Sequence, residues 1–268
     1  MTSVGGWIRW RDAHSSVHGP AGDPFIEAMP RSHEAGGKYW QPGMYTSYTQ
    51  GQVLETEVTT STNHKGRFSL RICKVQGGYD TAPEREAEEL TEACFDKHVL
   101  LQADVKGAQD PGKRYFYMGQ KDPEWSTYRA YYQLPDDLTC DGVESHCVLQ
   151  WYWLTFHRCE AADAPVKYTR GLSRCEDHDA NPPYPEEFFN VADVLIFPPG
   201  AALESPAANY TIRDWAYVWS GVDHAVVVVV FELASVSPSC RLVQGDSGTE
   251  WLSDRVIEHM CIFSRLGA

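Results

Sequence analysis

Polar and apolar positions alternate over residues 52–60, with Leu54 and Val58 on one side, and Phe68, Leu70 and Ile72 repeat the pattern. A period of two is that of a half-buried strand. "HVLLQADV" (98–105), "RYFYMG" (114–119) and "TYRAYYQL" (127–134) read as further short strands, as do "ADVLIF" (192–197), "WAYVW" (215–219) and "HAVVVVVFEL" (224–233). "SHCVLQWYWLTF" (145–156) is the strongest, rich in β-branched and aromatic residues and apolar on both faces at its centre. Helical periodicity is confined to 83–95, "PEREAEELTEACF", which opens on Pro83 with acids in its first turn. Short strands separated by Gly, Pro and Asp clusters predict an all-β, antiparallel β-sandwich with long loops.

The segment 175–187, "CEDHDANPPYPEE", predicts a long polar loop of the kind that carries function or stays disordered. Residues 198–214 read as a linker, and 215–268 as an added hairpin and helix. The expected division is a sandwich over 22–197 and a C-terminal extension over 198–268, a candidate surface for a protein partner.

Charge narrows the function classes. The chain has 268 residues with 23 Lys+Arg against 37 Asp+Glu, a formal net charge of −14. Such a balance repels nucleic-acid phosphates and anionic membranes. Neutral polymers, small molecules and metal cations fit better, and nucleic acid is not an expected partner. No apolar run reaches the ~18 residues of a membrane span. Residues 1–20 hold no continuous apolar core of the signal-peptide kind.

Eight cysteines are present and none stands in a CxxC pair. Their spacing resembles successive loop closures: Cys73 with Cys94, Cys140 with Cys147, Cys159 with Cys175 and Cys240 with Cys261. That pattern predicts disulfides and an oxidising, extracellular setting. Asn209-Tyr-Thr is a glycosylation sequon if the chain is secreted.

"PRSHEAGGKY" (30–39), "TNHKGRFSLRIC" (62–73), "ACFDKHVL" (93–100), "LTC…CVLQW" (138–151) and "EEFFNVADVLI" (186–196) occur in this order. Together they resemble the chitin-binding type-4 fold of lytic polysaccharide monooxygenases, of the auxiliary-activity family 15 kind. The resemblance implies an immunoglobulin- or fibronectin-III-like sandwich, secretion, and copper-dependent oxidative cleavage of crystalline chitin or cellulose fed by an external electron donor. It also implies a histidine brace of one copper ion: a terminal amine, the imidazole of that first His, and a second imidazole. His64 carries over as the second imidazole, Phe188 as the ring axial to the metal, and Trp151 as a tryptophan near it. Glu187, or Glu186, takes the place of an acid beside the copper. His33 and Tyr39 lie in a block expected on the substrate face.

Imidazole nitrogen suits copper, and an apolar axial ring discourages a strong further ligand. The sequence departs from the family at several positions. Residue 1 is Met, and the expectation is a chain lacking the family's N-terminal part with the first copper His. His18, followed by Gly19 like the family's common HG start, is the candidate for that ligand. Thr62 stands where the family has a small Ala, and Val191 where it has a Cys, which leaves Cys147 to pair with Cys140.

His146, His157 and His178 flank long loops and any of them could complete a metal site, but no i, i+3 or i, i+4 spacing pairs them on a helix. Tyr117, Trp125 and Tyr128 are candidate sugar stackers, with core packing the competing role. "GDSG" (245–248) is similar to a serine-protease nucleophile loop, without a matching histidine block upstream. The competing function is a noncatalytic carbohydrate-binding or structural sandwich that has lost the brace, in which His64 is a solvent-facing loop residue.

Overall fold

The structure, a computed structural model, describes residues 2–4, 19–23, 27–40, 45–60, 62–175, 185, 187–201 and 227–231, the first and last of these by their backbone. His18, Cys240, Cys261, residues 215–219 and most of 176–186 lie outside the described residues.

Two sheets face each other. The larger runs β1 (Thr2–Val4), β10 (Glu187–Phe197), β9 (Ser145–Leu154), β4 (Arg67–Gln76), β5 (His98–Val99), with β2 (Thr46–Thr49) also on β10 and β7 (Phe116–Tyr117) also on β4. The smaller runs β11 (Val227–Phe231), β3 (Val53–Thr60), β8 (Ser126–Gln133), β6 (Leu101–Gln102). The core is the interdigitation of their inner faces. Leu54 and Val58 of β3 and Tyr128, Ala130 and Tyr132 of β8 meet Phe68, Leu70, Ile72, Trp151 and Trp153 of β4 and β9. The all-β sandwich expected from the alternation is the fold. One pair departs from antiparallel: β2 runs parallel to β10, Thr46 opposite Val194.

The larger sheet is buried on both faces, which explains the near-continuous burial of β4 and β9. Its outer face is covered by α1 (Ala82–Glu89) and α2 (Glu92–Phe95), whose Leu90 and Phe95 pack with Val75 and Val148. These two short helices replace the single one expected over 83–95. The chain leaves helical geometry at Leu90 (ψ 80°) and restarts at Thr91, whose side chain accepts from the Cys94 N–H. The Cys73–Cys94 disulfide then holds α2 to β4, with Val191 packed against the same cluster. "HVLLQADV" is likewise two strands in different sheets. The buried Leu100 donates its N–H to Leu70 O, and the chain crosses there from one sheet to the other.

Disulfides Cys140–Cys147 and Cys159–Cys175 close two further loops. β10 starts at Glu187, before the expected 192, because Phe188 and Phe189 already pair with Trp153 and Tyr152. β11 comes from beyond residue 197, yet lies antiparallel on the edge of β3. No helix among the described residues is long and apolar enough to cross a membrane.

Candidate metal centre

His64 stands in the link by which the chain leaves β3 in one sheet and enters β4 in the other. That crossing puts it at an end of the sandwich, half-buried. The link is held from several sides. The Trp153 Nε1–H donates to Lys65 O at 2.7 Å, the Met118 N–H to Gly66 O at 2.9 Å, and the Phe156 N–H to His64 O at 3.1 Å. Lys65 (φ 59°) and Gly66 (φ 96°) both take positive φ to make the bend. Gly66 has no substitute: a Cβ there would lie 2.0 Å from Leu154 O. Asn63 is buried and works as an internal brace. Its Oδ1 accepts from the Lys65 N–H at 3.0 Å, and its Nδ2 donates to Tyr128 Oη at 2.5 Å and Pro123 O at 3.2 Å. The Tyr128 hydroxyl donates onward to Asp122 Oδ2 at 2.9 Å, and burial, then this hydrogen bond to Asp122, raise its pKa.

The bond from Phe156 to His64 O has a direct consequence, because the next residue is His157. Its exposed ring lies 4.4 Å from the His64 ring, centre to centre, tilted 33°. Both rings open on a cleft of about 300 Å³, lined also by Thr62, Asn63, Lys65, Glu124 and Arg170. The Trp153 indole stands 6.3 Å from His64 and stacks on Phe188 at 4.7 Å, giving the pair a dry aromatic wall.

The charges around the cleft are fixed in place. Glu124 Oε2 accepts from the Asn63 N–H at 3.1 Å. Lys65 is buried and its Nζ donates to Asp122 O. Arg170 donates to the carbonyls of Phe156 and His157, each at 3.2 Å. Both cations are thus committed to backbone oxygens. The loop carrying His157 is anchored by the Cys159–Cys175 bridge, by Arg67 to Asp163 at 2.8 Å and by Tyr168 stacked on Tyr117 at 4.2 Å.

Copper fits this donor set in kind: two imidazoles share one cleft with a carboxylate, and imidazole is a good copper ligand. Among the described residues no group of three or more His, Cys, Asp or Glu comes close enough to hold a metal.

The remaining expected residues are distributed as follows. Phe188 is buried in the core behind Trp153. The indole next to His64 is Trp153, and Trp151 lies 6.1 Å beyond it, its Nε1–H lacking an acceptor among the described residues. Glu187 follows the strand alternation to the opposite face of β10, where its buried carboxylate accepts from the Tyr152 hydroxyl. His33 and Tyr39 come together at 4.9 Å, and His33 Nδ1 meets Asp23 Oδ1 at 2.6 Å. Burial raises the Asp23 pKa, but the hydrogen bonds from His33 outweigh it and leave the value lowered. Neither His33 nor Tyr39 lines the cleft. Tyr117 and Tyr128 are buried, whereas Trp125, beside Glu124, is 69% exposed. His157 is one of the three loop histidines that the sequence offers to complete a metal site, whereas Asn63 and Trp153 were not identified from sequence. Asn63-His64 adjacency and the apolar run ending at His157 were visible, but their meeting was not.

A separate buried cluster lies under α1. His146 Nδ1 meets Gly77 O at 2.8 Å and its Nε2 meets Glu86 Oε1 at 3.1 Å. Burial alone lowers the His146 pKa, but the bonds to Glu86 and Gly77 prevail and raise it. Asp193 is raised strongly, first by loss of hydration and then by the Glu86 charge.

A profile of the family described as lytic polysaccharide mono-oxygenase, cellulose-degrading, matches residues 12–194. Among solved structures, this chain is similar to a lytic polysaccharide monooxygenase AA15 from Thermobia domestica in the Cu(I) state. The identity is 27% and the TM-score 0.48, over 67% of this chain and 76% of that one. No curated protein sequence matches the chain.

Proposed function

The chain belongs to the lytic polysaccharide mono-oxygenase family, and from that premise we propose that it oxidatively cleaves crystalline chitin or cellulose at a copper ion held by His64. The observation that carries this reading is the position of His64: one face of its loop is locked to β9 by the Trp153 bond and to the segment just after β9 by the Phe156 bond, and its ring faces a cleft. Bound copper supplies the one-electron redox chemistry that oxidation of a sugar C–H bond requires.

The protein's own residues do the rest. Asn63 and Gly66 fix the loop, so that the imidazole is presented without reorganisation. Trp153 and Phe188 exclude water from behind it. Trp125 offers an exposed indole face on the turn that also carries Glu124, the shape that stacks on a pyranose ring. The negative net charge does not oppose a neutral polysaccharide. Three disulfides among the described residues suit an extracellular protein supplied with electrons from outside.

The test is incubation of the copper-loaded full chain with crystalline chitin or cellulose, oxygen and ascorbate, with mass spectrometry of the released sugars. Oxidised oligosaccharides from the wild type and their loss in His64→Ala are expected. Retention on the polysaccharide with no oxidised product from either substrate overturns the catalytic reading and leaves a carbohydrate-binding sandwich.

A further inference from the structure

We propose that His157 supplies a second imidazole to the metal at His64, so that the two rings hold one copper ion between them. The inference rests on the copper reading above and adds a ligand to it. His157 is not one of the residues that the family resemblance carries over.

A metal–imidazole nitrogen bond is about 2.0 Å, so a ring centre lies roughly 3.1 Å from the metal it binds. Two imidazoles sharing a metal at about a right angle therefore have centres ~4.4 Å apart, and at opposite sides of it ~6 Å apart. The His64–His157 spacing is 4.4 Å, the first of these values. That spacing is compatible with one ion shared between the two rings.

Four further observations support a built site. The backbone bond from Phe156 to His64 O sets the two residues side by side whichever way the rings turn. Arg170, whose charge opposes a cation, donates to the Phe156 and His157 carbonyls and so braces the same turn. Glu124 lines the cleft and supplies a compensating negative charge. The His157 ring is exposed, as a ligand at the mouth of a surface centre must be. Stacking of two aromatic rings is the competing explanation for the contact, and it needs no metal.

Cu(II) alone is the probe. The full chain is stripped with chelator and titrated by calorimetry, and the one-equivalent complex is examined by electron paramagnetic resonance and electron spin-echo envelope modulation, which counts bound imidazoles. His157→Phe keeps a ring against His64 but removes its nitrogens, and thermal melting verifies its fold. His157→Gln serves if the Phe variant does not fold. Expected are one tight site in the wild type with His157 among the counted imidazoles, a loss of one imidazole in His157→Phe and an affinity weakened at least about 10-fold. A variant with unchanged affinity and imidazole count overturns the proposal while leaving copper at His64. A wild type that binds no copper tightly overturns the copper reading itself, and His157 with it.

Discussion

Replacing Gly66 by alanine probes the link that builds the centre. At φ 96° a side chain is strained whatever the space around it, a cost of about 1–2 kcal/mol. The new Cβ would also stand 2.0 Å from Leu154 O and 2.7 Å from Thr155 Cα. Both are backbone atoms at the end of a central strand, so no rotamer change relieves the overlap and the two segments must part. The first bond at risk is Phe156 N–H to His64 O, and losing a buried backbone bond adds about 1–3 kcal/mol. A total of about 2–5 kcal/mol lowers the melting temperature of a domain this size by about 5–15 °C. Scanning calorimetry of Gly66→Ala against wild type measures it, and Cu(II) titration of the folded variant at low temperature should show weakened binding. A melting temperature within about 2 °C of wild type, with copper affinity intact, refutes the claim that this close approach holds the centre together.

Trp153→Phe keeps the ring on Phe188 but removes the donor to Lys65 O, and should cost about 1–3 kcal/mol in urea unfolding; an unchanged midpoint would show that the indole bond holds nothing. Trp125→Ala should leave thermal stability within about 0.5 kcal/mol while reducing retention on crystalline polysaccharide; equal retention removes Trp125 from the binding face. Cys159→Ser with Cys175→Ser opens a loop of 16 residues and should cost about 3 kcal/mol in the chain-entropy account, with weaker Cu(II) binding because His157 lies just before Cys159, the start of that loop. Raised folded pKa values at Asp193 and His146 mean that both groups hold their protons more tightly in the folded chain. Their contributions are complete below the ordinary values and are lost as pH rises, from about pH 4 upward for Asp193 and above about pH 6.5 for His146. The urea midpoint should therefore fall with rising pH, less steeply in Asp193→Asn, and an equal slope in that variant would exclude Asp193 as a source.

What the sequence carried alone was whatever depends on local periodicity and composition. Alternation at Leu54, Val58, Phe68, Leu70 and Ile72 identified the inner faces of β3 and β4, because a strand's two faces are set by its own residues. Cysteine spacing indicated the loops now closed at Cys73–Cys94, Cys140–Cys147 and Cys159–Cys175, since short closures favour near neighbours. The motif around His64 marked one candidate ligand. The break at Leu90 and the parallel pairing of β2 depend on partners distant in the chain, and no window of sequence shows them. The same holds for the centre itself. His64 and His157 are separated by the strands β4 to β9 and the two short helices, and the pairing of β4 with β9 brings the two strand ends to one edge. An imidazole's chemistry is written in its residue type, but a shared ligand site is a distance, and distances between remote segments exist only once the sheets have closed.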